Sequence, residues 1–136
     1  MKNFILKVLT GSLFLSCSTM LFASSSSTYQ KTCKNTKLIT TEYNGVDLVS
    51  TCQRINQSWI PAKVSVKHLH NIDGKLEYGR EDFSTFQRTC NSIRLNETNQ
   101  KVTVSALCKD KKGAMKTTSI ELKNLHNMDG KLTYKE

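Results

Sequence analysis

The chain has 136 residues, 38% hydrophobic and 23% charged, with 20 basic against 11 acidic side chains and a formal net charge of +9. That length holds one ordinary domain, or two very small halves sharing a core, and excludes a larger assembly of domains within this sequence.

Residues 1–23 read as a secretory signal peptide. Lys2 and Lys7 precede an apolar run, residues 8–23, which is broken by Gly11, Ser12, Ser16, Ser18 and Thr19 and followed by the polar tract 24–28. A membrane anchor needs about 20 mostly apolar residues, so no membrane span is expected and cleavage is placed after Ala23. The stretch Phe14-Leu15-Ser16-Cys17 also resembles a bacterial lipoprotein signal, which would make Cys17 a lipid attachment point. Either route gives a secreted or periplasmic product. Without Lys2 and Lys7 the remainder carries eighteen basic and eleven acidic residues, a net charge of about +7.

Residues 24–136 are expected to form one domain containing two copies of a single unit. The first copy, residues 29–78, opens on Tyr29-Gln30-Lys31-Thr32-Cys33, and Asn44-Gly45 reads as a turn. Val46, Leu48, Ser50 and Cys52 then recur at every second residue, so they share the inward face of a strand. Pro61 lacks a backbone donor and points to a sheet edge. Val64 and Val66 flank Ser65 in a second half-buried strand, Asp73-Gly74 marks a hairpin turn, and Tyr78 closes the copy.

Residues 79–85 link this copy to the second, residues 86–134. Phe86-Gln87-Arg88-Thr89-Cys90 repeats the opening at an offset of 57; from Cys52 onward the offset is 56, and 10 of the 27 positions in 52–78 are identical to their counterparts. The inward face recurs as Val102, Val104, Ala106 and Cys108, and the half-buried strand as Ile120 and Leu122. Trp59 faces Met115 in this alignment, which favours a core role for the indole over a stacking platform.

A unit of about 50 residues buries too little surface to fold alone, so the copies must share a core, be stapled, or both. An even set of four cysteines on an exported chain points to two disulfides, and Cys33, Cys52, Cys90 and Cys108 lack the C-x-x-C spacing of a zinc site. Repeat symmetry does not select among the three pairings. Pairing within each copy is favoured because each pair brackets one turn-forming stretch, closing 19 and 18 residues and contributing about 3 kcal/mol apiece.

The aromatic-x-x-Thr-Cys opening, the second cysteine closing a hairpin, and the Asn-apolar-Asp-Gly-x-Leu close (Asn71 to Leu76, Asn127 to Leu132) occur twice, in order. Together they resemble the cyanovirin-N homology family of small lectins. The resemblance implies an all-β fold of two pseudo-symmetric tandem repeats, each a three-stranded antiparallel sheet plus a β-hairpin, with strands crossing between repeats. It also implies Cys33–Cys52 and Cys90–Cys108 bridges and up to two sites for mannose oligosaccharides, with no metal or cofactor. Its partners would be oligosaccharides or glycoprotein glycans of the high-mannose type, bound by a monomer or a domain-swapped dimer.

Carried onto this sequence, the site near the chain ends would use Thr28, Lys31, Thr32, Gln53, Ile55, Asn127, Met128 and Asp129. The site at the middle would use His70, Asn71, Asp73, Ser84, Thr85, Arg88, Thr89, Lys109, Asp110, Lys111 and Gly113. Gln53, His70 and Arg88 stand where the best-known member has acidic residues, and Ile55 and Gly113 replace polar groups. A pyranose presents several fixed hydroxyls, and a shallow cleft of Asn, Asp, Thr, Gln and backbone groups can meet each one.

His68, His70 and His126 lack a third ligand at metal spacing, and no nucleophile has an evident partner. The carboxylates fall in turns or on exposed strand faces, unlike the flanking pair of a glycosidase. Binding without catalysis is the expectation. The basic residues are scattered apart from Lys109, Lys111 and Lys112, so no nucleic acid partner is expected; the alternatives are a basic exported module for anionic polysaccharide, or the same scaffold acting as an interaction module without sugar binding.

Overall fold

A computed structural model describes residues 25–41, 43 and 45–135; the leader with Cys17, and Asn44 of the first turn, lie outside the described residues. Strands β1 (Cys33–Thr40), β2 (Val46–Gln53) and β3 (Trp59–Ser65) form one antiparallel sheet in that order, followed by the hairpin of β4 (Leu69–Ile72) and β5 (Lys75–Tyr78). The pattern recurs as β6 (Cys90–Glu97), β7 (Val102–Lys109) and β8 (Met115–Leu122), then the hairpin of β9 (Leu125–Met128) and β10 (Lys131–Tyr134). A short 3-10 turn, Tyr29–Lys31 or Phe86–Arg88, introduces each sheet.

The central strands explain the sheets. Burial alternates strictly along β2 and β7, placing Val46, Leu48, Ser50 and Cys52, and Val102, Val104, Ala106 and Cys108, on the inward face. Cys33 lies directly opposite Cys52, and Cys90 opposite Cys108, so the strand register itself aligns the two disulfides. Beyond each half-cystine the outer strand bulges, between Lys34 and Lys37 and between Asn91 and Arg94. Asn35 and Ser92 take positive φ there, 56° and 51°. Pro61 sits on β3, hydrogen-bonded only to β2 and therefore an edge strand.

Trp59 departs from the expected core position. It opens β3 on the outward side, 43% exposed, with the Lys34 ammonium 4.2 Å from its ring centroid. Met115, its counterpart, is exposed to the same degree. The alternation along β3 turns Ile60, Ala62 and Val64 inward instead, so both large side chains fall on the wet face.

The two halves are intertwined. Strand β5 of the first repeat packs on β8 of the second, and β10 of the second packs on β3 of the first. Leu76 N–H donates to Thr118 Oγ1 at 3.0 Å, and Lys67 N–H to Tyr134 Oη at 3.0 Å. Reciprocally, Tyr78 Oη donates to the Glu121 carbonyl at 2.5 Å and accepts from Lys123 N–H at 3.2 Å. One core results, in which Tyr29, Leu48, Leu69 and Leu76 pack with Phe86, Val104, Leu122, Leu125 and Leu132.

Candidate functional site

Both hairpin turns are two-residue Asp-Gly loops. Ile72 pairs with Lys75 and Met128 with Lys131, and φ is positive at both loop residues: 52° and 85° at Asp73 and Gly74, 51° and 86° at Asp129 and Gly130. This is the type I′ geometry that suits strand twist. The turn residues then reach into the other repeat. Asp73 Oδ1 accepts the Lys111 N–H at 2.8 Å, and Asp129 Oδ1 accepts the Ile55 N–H at 2.9 Å. Arg54 adds an ion pair to Asp129 at 3.7 Å.

Beside each turn an asparagine locks three segments together. Asn127 Nδ2 donates to Thr32 Oγ1 and to the Gln53 carbonyl, both at 2.9 Å, while its Oδ1 accepts Gly130 N–H at 2.7 Å. Asn71 Nδ2 donates to Thr89 Oγ1 at 2.8 Å and to the Lys109 carbonyl at 2.9 Å, and its Oδ1 accepts Gly74 N–H at 2.8 Å. The residues expected near the chain ends thus meet at one corner, built by the first 3-10 turn, the β2–β3 turn and the β9–β10 turn. Of those expected at the middle, Asn71, Asp73, Thr89, Lys109 and Lys111 meet at its pseudo-symmetric equivalent, whereas Ser84 bonds to Val66 and Leu69 and His70 to Thr85.

Within these corners the side chains differ in availability. Thr32, Lys31, Ile55 and Met128 are exposed at the first corner, and Arg88, Thr89, Lys109 and Lys111 at the second. Gly113, at φ 84°, has open space where a Cβ would stand. Ser84 is instead 3% exposed: its hydroxyl donates to the Val66 carbonyl and accepts the Leu69 N–H. Asp110 Oδ1 accepts the N–H groups of Lys112 and Ala114 within its own turn. Burial raises the Asp110 pKa, but those donors and Lys116 at 3.4 Å outweigh it and hold the carboxyl below its usual range.

Thr85 Oγ1 is hydrogen-bonded to His70 Nδ1 at 2.6 Å, and His70 Nε2 lies 3.0 Å from Glu81 Oε2. The backbone N–H of Glu81 and the His70 ring hold the Glu81 carboxyl below its ordinary value. The equivalent pair is Thr28 Oγ1 with His126 Nδ1, at 2.5 Å. The sequence weighs His126 only as a metal or catalytic group, and its alignment with His70 is the signal that marks it as the corresponding corner residue. Ser27, which donates to the Leu122 carbonyl and accepts the Leu125 N–H, was missed in the same way as the counterpart of Ser84.

A cavity of about 390 Å³ lies away from both corners, lined by Lys67, His68, Tyr78, Lys123, Asn124 and Tyr134 among others. A more open cleft of about 530 Å³ adjoins the second corner, lined by Asp73, Gly74, Lys75, Lys116 and their neighbours. Chemically, each corner offers fixed backbone groups, a threonine hydroxyl and long polar side chains around a shallow surface. That arrangement suits hydrogen bonding to a ligand with many hydroxyls. Among the described residues no three His, Cys, Asp or Glu side chains gather as a metal site.

Fold and corners together define a duplicated, disulfide-closed all-β domain of the type expected from the motifs. The CVNH domain model matches residues 29–133, and the chain belongs to the CVNH family. Among solved structures it is similar to that of the Microvirin:mannobiose complex, at 28% identity and a TM-score of 0.61, covering 79% of this chain and 97% of that one. It is also similar in fold to the N. crassa CVNH protein, at 18% identity and a TM-score of 0.63 over 80% and 99% of the two chains. A MoCVNH3 variant in complex with (N-GlcNAc)4 matches at 13% identity and a TM-score of 0.63, over 82% and 99%. A search of curated proteins found no match.

Proposed function

We propose that this chain is an exported lectin that takes mannose-type oligosaccharides, free or on glycoproteins, by hydrogen bonding at its two corners, without metal, cofactor or catalysis. The observation that carries this reading is the duplicated corner, where an asparagine fixes a threonine and a strand-end carbonyl beside an Asp-Gly turn. Family membership supports it, as does the likeness to a relative whose structure holds mannobiose. The Asp73 and Asp129 carboxylates each accept a backbone N–H, which fits clasping better than acid–base chemistry. Two disulfides support an oxidising compartment, in keeping with removal of residues 1–23 as a leader and a domain spanning 24–136. A monomer, or a dimer exchanging repeats through residues 79–85, is the assembly this reading favours.

Array screening of the oxidised protein against neutral and charged glycans tests the reading. The expected result is selective signal on high-mannose glycans that survives a chelator. Absence of signal on every neutral mannose glycan would overturn it.

A further inference from the structure

The two corners share a backbone but differ in charge. The β2–β3 turn of the first presents Gln53, Arg54, Ile55 and Asn56, with Arg54 paired to Asp129, where the β7–β8 turn of the second presents Lys109, Asp110, Lys111 and Lys112. All three lysines are exposed, and among the described residues none of them is in an ion pair. Arg88, exposed on the second 3-10 turn, is matched by Lys31 on the first, so it adds positive charge without distinguishing the corners. Asp73, which accepts the Lys111 N–H, and Asp110, ion-paired with Lys116, set two negative charges against Arg88, Lys109, Lys111, Lys112, Lys75 and Lys116, so the corner stays net positive.

These cations border the recognition groups themselves. The Lys109 carbonyl is fixed by Asn71, which also fixes Thr89, and the Lys109 N–H donates to the Thr89 carbonyl at 3.0 Å. The adjoining cleft is walled by Lys75 and Lys116. At the first corner Ile60 takes the place of Lys116 and packs under Gly130, leaving an apolar rim of Ile55, Met128 and Trp59, each exposed by two-fifths or more.

We infer that the second corner binds a saccharide bearing an anionic substituent, a phosphate, sulfate or carboxylate, whereas the first corner takes neutral sugar. This rests on the reading of both corners as saccharide sites. Each anionic oxygen would receive charge-assisted hydrogen bonds that a neutral hydroxyl cannot match. Solvent screening limits the gain to about tenfold in affinity per substituent.

The test is an NMR titration of the oxidised protein with a neutral mannose oligosaccharide and with the same oligosaccharide carrying one phosphate monoester. The phosphorylated probe is expected to shift the amides of Thr89, Lys109, Lys111 and Gly113 and to bind there about tenfold more tightly than the neutral one. The preference should shrink severalfold between about 0.05 and 0.3 M NaCl. A Lys109→Gln, Lys111→Ile, Lys112→Asn variant, which installs the first corner's residues, should lose the preference while neutral binding at Thr32 and Gln53 persists. Equal affinity for both probes at the second corner, or a preference retained by the variant, overturns the inference and leaves the lectin reading standing. Binding of the phosphorylated probe with no neutral binding at Thr32 and Gln53 overturns both the assignment of neutral sugar to the first corner and the neutral-mannose reading. Inorganic phosphate or a single-stranded oligonucleotide binding as tightly at the same amides would show bare anion attraction and also overturn it.

Discussion

His126 illustrates how a single side chain ties chain end to chain start. Its ring meets Thr28 Oγ1 at 2.5 Å and Ser25 Oγ at 3.3 Å, so it closes the first corner from behind. Burial, with Lys135 nearby, lowers its pKa below the ordinary 6.5. The unfolded chain therefore takes up this proton at higher pH than the native one. Stability from this site is complete above about pH 6.5 and declines as pH falls through and below that value. Urea midpoints compared at about pH 7.5 and 5.5 should drop less in His126→Gln than in the parent, since the variant lacks the titrating ring. Asn71 and Asn127 were legible from their motif, but as ligand groups. Both amide hydrogens of each are occupied inside the protein, and sequence carries no trace of a carbonyl brought in from 38 or 74 residues away.

At the scale of elements, the Asp-Gly turns were readable because positive φ at two successive positions leaves few residue choices. The bulges at Asn35 and Ser92 were not, since neither is glycine and the neighbouring alternation hides the extra residue. The outward placement of Trp59 has a similar cause: alignment with Met115 suggests the inside, whereas strand parity decides the face. The two turns also differ in tolerance. A Cβ at Gly130 would stand 2.7 Å from Ile60 Cδ1 and 2.8 Å from Arg54 Cγ, while one at Gly74 would stand 3.1 Å from a flexible Lys116 methylene. Both alanine substitutions carry the left-handed penalty of about 1–2 kcal/mol. Gly130→Ala should cost about 1 kcal/mol more than Gly74→Ala in chemical denaturation, because the Ile60 side chain must also shift.

For the whole molecule, duplication and the favoured cysteine pairing could be argued from the chain itself, and the register of Cys33 with Cys52 and Cys90 with Cys108 agrees. The exchange of hairpins between repeats could not. Either hairpin has a pattern that would suit packing on its own sheet, and only the family resemblance pointed to the crossing. That crossing places Leu69 and Leu76 of the first repeat in a core shared with Phe86 and Leu122 of the second. A fragment of residues 24–78, with its disulfide formed, is therefore expected to show no cooperative thermal transition by circular dichroism. The bridge contributes about 3 kcal/mol, too little to replace the missing half of a core.

The reciprocal clasp, in which Asp73 grips the Lys111 amide and Asp129 the Ile55 amide, makes each repeat the donor of one grip and the acceptor of the other. A single repeat taken alone would hold an aspartate with no amide to grip and an amide with no aspartate, so neither corner could close without its opposite number.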